Sequence, residues 1–200
     1  MKIINNIHEK SVHSRRVESL TNHLVGLMPR EGKILDVGCG DGLLASLLAS
    51  RLPKANFQGM DVLVRDDTRI PVEYFDGTTI PMEDKSVDTV MMVDVLHHTD
   101  DPYVLMREAK RVARHSIVLK DHTRDGLLAN STLRFMDWVG NAHHGVALPY
   151  NYLSKFEWDT MIGELGLTVD QWNGKPTMYG RPGDWVFGRS LHFVAKILTN

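Results

Sequence analysis

Apolar residues recur near the start of the chain at spacings of three and four: Val17, Leu20, Leu24 and Leu27, with His13 extending the stripe. One face of a helix has that period, so an amphipathic helix is expected over about residues 8–28, ended by Pro29 to Gly32. The pattern then changes to short apolar runs separated by turns. Strands are expected at Lys33 to Val37, up to Asp61, at Val72 to Phe75, at Val87 to Val93 and at Ser116 to Lys120. Helical stretches fall between them, after Gly42 and after Asp101-Pro102, where aspartate is a natural N-cap and proline suits the first helical position. Such alternation predicts an α/β fold with a parallel sheet and helices on both faces. It pauses between about residues 121 and 151, an insert with a helix expected from Leu127 to Val139 and a loop rich in His, Asn and Gly. Inserts of that length are usually lids or binding loops. Ser154-Lys-Phe-Glu157 then reads as a capping box, with Trp158, Met161, Ile162 and Leu165 as the buried face of the helix behind it. Two last strands, Leu167 to Trp172 and Leu191 to Ile197, complete the chain.

The segment Ile34-Leu-Asp-Val-Gly-Cys-Gly-Asp-Gly42 carries the clearest chemistry. Glycine is needed where backbone turns with positive φ or approaches a ligand closely, and the following helix offers free N–H groups there. A dinucleotide fingerprint would place its third glycine where Leu43 stands, so Gly38, Gly40 and Gly42 form a different, Gly-x-Gly-x-Gly pattern. Phe57-Gln-Gly-Met-Asp61 ends a second strand in a carboxylate about 20 residues on, the place from which an acid reaches ribose hydroxyls. In open α/β sheets the ligand sits at the carboxyl ends of the strands, at the topological switch point, here between strands one and four.

Together with Tyr74-Phe-Asp-Gly-Thr-Thr-Ile-Pro-Met-Glu-Asp-Lys-Ser-Val-Asp-Thr-Val90 and Asp94-Val-Leu-His-His-Thr-Asp-Asp-Pro102, these motifs make the chain resemble the class I S-adenosylmethionine-dependent methyltransferases, in their small-molecule branch. The likeness covers roughly residues 30–120. It implies one Rossmann-like domain over residues 1–200, with a seven-stranded, mostly parallel sheet of order 3-2-1-4-5-7-6 and an antiparallel strand 7. The first helix and the insert would cover the acceptor site. It also implies S-adenosylmethionine as cofactor and S-adenosylhomocysteine as product. Gly38, Gly40 and Gly42 would lie under its methionine part, Asp36 by its ammonium and Asp61 at the ribose hydroxyls. Asp76, Gly77 and Thr78 would meet the adenine, and Asp94 would close the methionine end.

The acceptor is less legible. Methyl transfer from a sulfonium needs chiefly positioning and exclusion of water, and a histidine base helps when the acceptor must lose a proton. His97, His98, His122, His143 and His144 could converge at one end of the sheet, which favours O-methylation of a small metabolite. Arg15, Arg16, Lys120, Arg124 and Arg181 suggest an anionic acceptor; Trp138, Tyr150, Trp172, Tyr179 and Trp185 suggest an aromatic-lined cover. No metal is expected, because adjacent histidines on a strand or helix point apart.

Charge narrows the alternatives. With 23 Lys plus Arg against 25 Asp plus Glu and a net charge of −2, nothing argues for nucleic acid as partner. An RNA or protein acceptor, or a non-catalytic binding scaffold, stays the alternative. The single cysteine, Cys39, allows no internal disulfide, and it reads as a small packing residue. The polar N-terminal stretch lacks the core of a signal peptide and no window approaches a membrane span, so the cytoplasm is the expected location, as monomer or homodimer.

Overall fold

The computed structural model describes residues 16–141, 149–177 and 191–200. Residues 16–25 are helical (α1). There follow β1 (Glu31–Val37), α2 (Leu43–Arg51), β2 (Lys54–Asp61), β3 (Val72–Tyr74), β4 (Val87–Val93), α3 (Pro102–Val112), β5 (Ala113–His122), α4 (Ala129–Asn141), α5 (Lys155–Glu164), β6 (Thr168–Asn173) and β7 (His192–Leu198). The strands form one seven-stranded sheet in the order β3-β2-β1-β4-β5-β7-β6. All pairings are parallel except those of β7, which runs antiparallel to both β5 and β6. Order and strand direction are those the sequence led us to expect.

Residue alternation on the central strands builds two cores. Leu35, Val37, Val90, Met92, Ile117 and Leu119 face α3 and α5, packing with Leu105, Ala109, Trp158 and Met161. Their neighbours Ile34, Met91 and Val118 face the opposite way, against Leu20 and Leu24 of α1 and Ala45 and Leu48 of α2. Strands covered on both faces read as continuous apolar runs, as β4 and β5 do. The helix starts are written locally: the Asp101 carboxylate accepts from Tyr103 N at 2.9 Å with Pro102 at the first helical position, and Ser154 and Glu157 form a complete capping box.

Most boundaries shift by a residue or a few, and two of these shifts bear on the site. Strand β5 continues to His122, two residues beyond Lys120, because pairing with β7 extends to His122↔His192. Helix α4 begins at Ala129 instead of Leu127, since Gly126 and Leu128 both adopt positive φ and Leu127 is 88% exposed. From there α4 packs through Ala129 and Leu133 against Tyr152 and Leu191, above the carboxyl end of the sheet.

Trp158 fastens α5 to that end. Its ring meets Phe193 edge-on at 5.0 Å between centroids, and its Nε1 donates to the His122 carbonyl at 3.0 Å. Trp158→Ala is expected to cost about 3–5 kcal/mol in urea unfolding, whereas Phe156→Ala two residues earlier, at an exposed position on the other face of α5, stays within about 0.5 kcal/mol.

Candidate functional site

Chain leaving β1 turns at once. Gly38 has φ 73°, and a Cβ built there would lie 2.5 Å from Val95 Cγ2; at Gly42, φ 74°, it would lie 2.5 Å from Ile70 Cγ1. Neither position admits a side chain, so the turn keeps bare backbone toward the space beyond β1 and β4. Gly42 caps α2 without a side chain and the first turn of α2 has no acidic residue; the Asp41 carboxylate accepts from Leu43 N at 3.0 Å, as suits the positive end of a helix.

A cavity of about 220 Å³ opens there, and Asp36, Gly38, Cys39, Asp41, Val93 and Asp94 line it with Leu43, Leu44 and Arg16, Val17 and Leu20 of α1. Asp36 is only 3% exposed, and burial, with the charge of Asp61 adding to it, pushes its carboxyl well above the usual range. Asp61 braces the glycine loop: its Oδ2 accepts from Gly40 N at 2.7 Å and its Oδ1 from Leu63 N at 2.9 Å. Cys39 sits between these carboxylates, and burial followed by their charge pushes its thiol far up, away from a reactive thiolate.

On the other side of Asp61 the surface is open. Asp76 Oδ1 accepts from Thr78 N, Thr78 Oγ1 and Thr79 N, a self-contained turn that holds its carboxyl below the usual range. Its second oxygen stays exposed. Gly77 turns with φ 85° beside Val62, and Val62 and Leu63 are more than half exposed, so an apolar face adjoins the Asp76 turn.

Asp94 ends β4 in the left-handed region, φ 57°. Its amide donates to the Lys120 carbonyl at 2.8 Å, and its carboxylate pairs with Lys120 Nζ and with Arg16 at 3.1 Å. Burial opposes ionisation of Asp94, but Lys120 and Arg16 outweigh it and hold the carboxyl well below its usual range. The basic residues offered by the sequence for an anionic acceptor are therefore largely spent: Arg16 and Lys120 on Asp94, Arg124 on Glu157. Arg15 and Arg181 lie outside the described residues. Of the aromatic candidates, Trp172 stacks on Phe193 at 4.1 Å and belongs to the core, Trp138 is exposed on α4, and Tyr150 is half-buried, with Arg134 4.4 Å from its ring centroid. Tyr179 and Trp185 lie outside the described residues.

The histidines converge, but not as an open base. A 3₁₀ turn, Leu96–His98, follows Asp94. His97 is 2% exposed, its Nδ1 is 2.6 Å from Asp121 Oδ1, and its Nε2 is 3.4 Å from Asp137 Oδ2. Burial works against its charge, yet Asp121 and then Asp137 prevail and raise it to about 10. A ring so enclosed and so basic is not a general base facing a substrate, which corrects its candidacy. His122 is also buried, and burial together with the Lys120 charge pushes it well below its usual value, leaving it neutral against Asp121. His98 is half-buried and lowered by burial and by the neighbouring His97 charge. His143 and His144 lie outside the described residues. Asp121, Asp137 and Tyr152 escaped the sequence reading; the Tyr152 hydroxyl donates to Asp137 Oδ2, and Asp121 also accepts from the amides of Leu96 and His122.

This sheet, with its glycine turn at the switch point, is the class I methyltransferase fold. Residues 35–120 match the family described as "Methyltransferase domain". A stretch of 111 residues is 33% identical to the 27-O-demethylrifamycin SV methyltransferase of Amycolatopsis mediterranei, covering 48% of this chain and 40% of that protein. The chain thus matches well under half the length of this curated relative. Among solved structures, a chain of the complex between the Trm112 methyltransferase activator and a methyltransferase of Haloferax volcanii superposes with a TM-score of 0.71 at 16% identity, covering 96% of this chain and 93% of that one. A S-adenosylmethionine-dependent methyltransferase of Thermotoga maritima superposes with a TM-score of 0.67 at 20% identity, covering 100% and 97%. No described helix is long and apolar enough to cross a membrane.

Lys120 is the buried cation on which the Asp94 end of the cavity rests. Lys120→Met leaves a mostly buried carboxylate with one partner fewer and is expected to cost about 3 kcal/mol in urea unfolding at pH 7, while Arg124→Met, at a half-exposed pair, costs less than about 1 kcal/mol.

Proposed function

We propose that the chain transfers a methyl group from S-adenosylmethionine to a small-molecule acceptor. The single observation that carries this reading is Asp36: a buried carboxyl lining the cavity that accepts no hydrogen bond among the described residues. Such a group needs a cation to ionise comfortably, and the α-ammonium of a methionine moiety is one.

The remaining residues fit the rest of that cofactor. Gly38 and Gly42 leave backbone uncovered where the methionine moiety would pack, and the α2 N-terminus suits its carboxylate. Asp61 keeps lone pairs beyond those used by Gly40 and Leu63, and these would take the ribose hydroxyls. Exposed Val62 and Leu63 would give the adenine an apolar face, with the outer oxygen of Asp76 and the Gly77–Thr78 backbone at its polar edge. When bound, the cofactor supplies an electrophilic methyl on sulfur. The chain's part is to hold the acceptor in line and to exclude water, for which α1 and α4 stand over the carboxyl end of the sheet.

A small acceptor is favoured because residues of α1 line the cavity beside the sheet, and because the Amycolatopsis relative is named for a small molecule. Oxygen is the favoured acceptor atom, since the Amycolatopsis relative is named for a 27-O-demethylated compound. The spent cations leave an uncharged acceptor in better agreement with the described residues than an anionic one. The cytoplasm is the compartment consistent with this cofactor.

Calorimetric titration with S-adenosylmethionine and S-adenosylhomocysteine is expected to give micromolar binding that Asp61→Ala abolishes. Binding of NAD instead, or of neither sulfur nucleoside, would overturn the reading. A pH series adds a second check. The ammonium favours ionised Asp36, so below the raised pKa of the free carboxyl, binding must release a proton. Affinity should therefore climb with pH and level off once free Asp36 is ionised, and Asp36→Asn should flatten the profile. An unchanged profile in Asp36→Asn would remove Asp36 from the site.

A further inference from the structure

Two groups of metal-compatible side chains occur among the described residues: Asp94, His97, Asp121 and His122, and separately His97, His98 and Asp137, with donor atoms within 4.8 Å of one another. The first is already satisfied. Lys120 Nζ supplies the cation to Asp94, and Asp121 accepts from Leu96 N, His122 N and His97 Nδ1. The second is not. Among the described residues, His97 Nε2 and His98 Nδ1 are buried atoms with no hydrogen-bond partner, Asp137 Oδ2 standing 3.4 Å from the first of them, and His97 is 2% exposed. Two orphaned imidazole nitrogens beside a carboxylate call for an occupant.

We propose that His97 Nε2, His98 Nδ1 and Asp137 bind a divalent transition-metal ion of the zinc type. The His97 Nε2 to Asp137 Oδ2 separation is 3.4 Å, which is the edge of a tetrahedron whose bonds to the metal are about 2.1 Å. Two imidazoles and a carboxylate make a borderline donor set that suits zinc, cobalt or iron over magnesium or calcium, and leave a coordination position for an oxygen donor.

The surroundings are those of a metal site as well. Asp121 Oδ1 lies 2.6 Å from His97 Nδ1, which keeps a proton at Nδ1 and aims Nε2 at Asp137, and the Tyr152 hydroxyl holds Asp137 in the same way. Adjacent histidines would diverge on a strand or a helix. The 3₁₀ turn Leu96–His98 brings their ring centroids to 4.1 Å and removes that objection. Asp137 comes from α4, so the ion would tie the cover helix to the end of β4. The competing occupant is a proton on His97 Nε2, which the metal displaces on binding.

The test needs no methyl donor and is therefore independent of the methyl-transfer reading. EDTA-treated protein is titrated with Co²⁺, followed by its visible absorption, and the Co²⁺ is then displaced by Zn²⁺. One equivalent is expected to bind with a four- or five-coordinate spectrum. His98→Ala and Asp137→Asn should abolish that spectrum, Asp121→Asn should weaken binding about 10–100-fold, and Asp94→Asn should spare it. Thermal unfolding of each variant shows that it folds. Anomalous diffraction from Zn²⁺-soaked wild-type crystals should place the ion at these three side chains. Binding unchanged in His98→Ala, metal elsewhere, or a water molecule alone at the three groups would overturn the proposal.

Discussion

Everything at the carboxyl end of this sheet depends on one steric constraint: the chain leaves β1 through a space too small for a Cβ. Val95 stands 2.5 Å from where one would sit on Gly38, and Ile70 the same distance from one on Gly42. The turn therefore runs as naked backbone between the ends of β1 and β4. That single feature opens the cavity and starts α2 without a capping side chain at Gly42. It also lets the Asp61 carboxylate reach back to Gly40 N and lock the loop to β2.

Around that turn the charges are arranged unequally. Asp94 is paired twice, by Lys120 and Arg16, and is a fixed part of the wall. Asp36 and Asp61 have no comparable cation among the described residues, and burial, with the Asp61 charge adding to it, leaves Asp36 with a raised carboxyl pKa. The wall is thus finished on the Asp94 side and incomplete on the Asp36 side, which gives a cationic ligand group a definite place and orientation. Behind it, Asp121 organises a second polar layer, with His97, His122 and the Leu96 amide all turned toward its carboxylate.

Much of the fold was legible because it rests on local or periodic signals. Alternation of short apolar runs and turns marked the strands, Asp101-Pro102 and Ser154/Glu157 marked two helix starts, and the spacing of Gly38, Gly40 and Gly42 located the turn. The errors came where long-range pairing decides. Strand β5 runs on to His122 because β7 pairs with it there, and no property of Asp121 or His122 alone announces that. Arg16 and Lys120 looked like free cations in sequence because their partner, Asp94, lies 78 and 26 residues away. The same distance effect hid Asp137 and Tyr152, which reach His97 only because the chain after β5 folds back to the 3₁₀ turn Leu96–His98. A clue did exist for Asp137: it follows Leu133 by one helical turn, on the face that α4 buries.

The most direct test of the account is a crystal structure of the protein with S-adenosylhomocysteine. The account predicts the nucleoside across the ends of β1 and β4, its ammonium within hydrogen-bonding distance of Asp36 and its ribose hydroxyls on Asp61. Ligand bound elsewhere, or in this cavity with Asp36 still facing no cation, would contradict it.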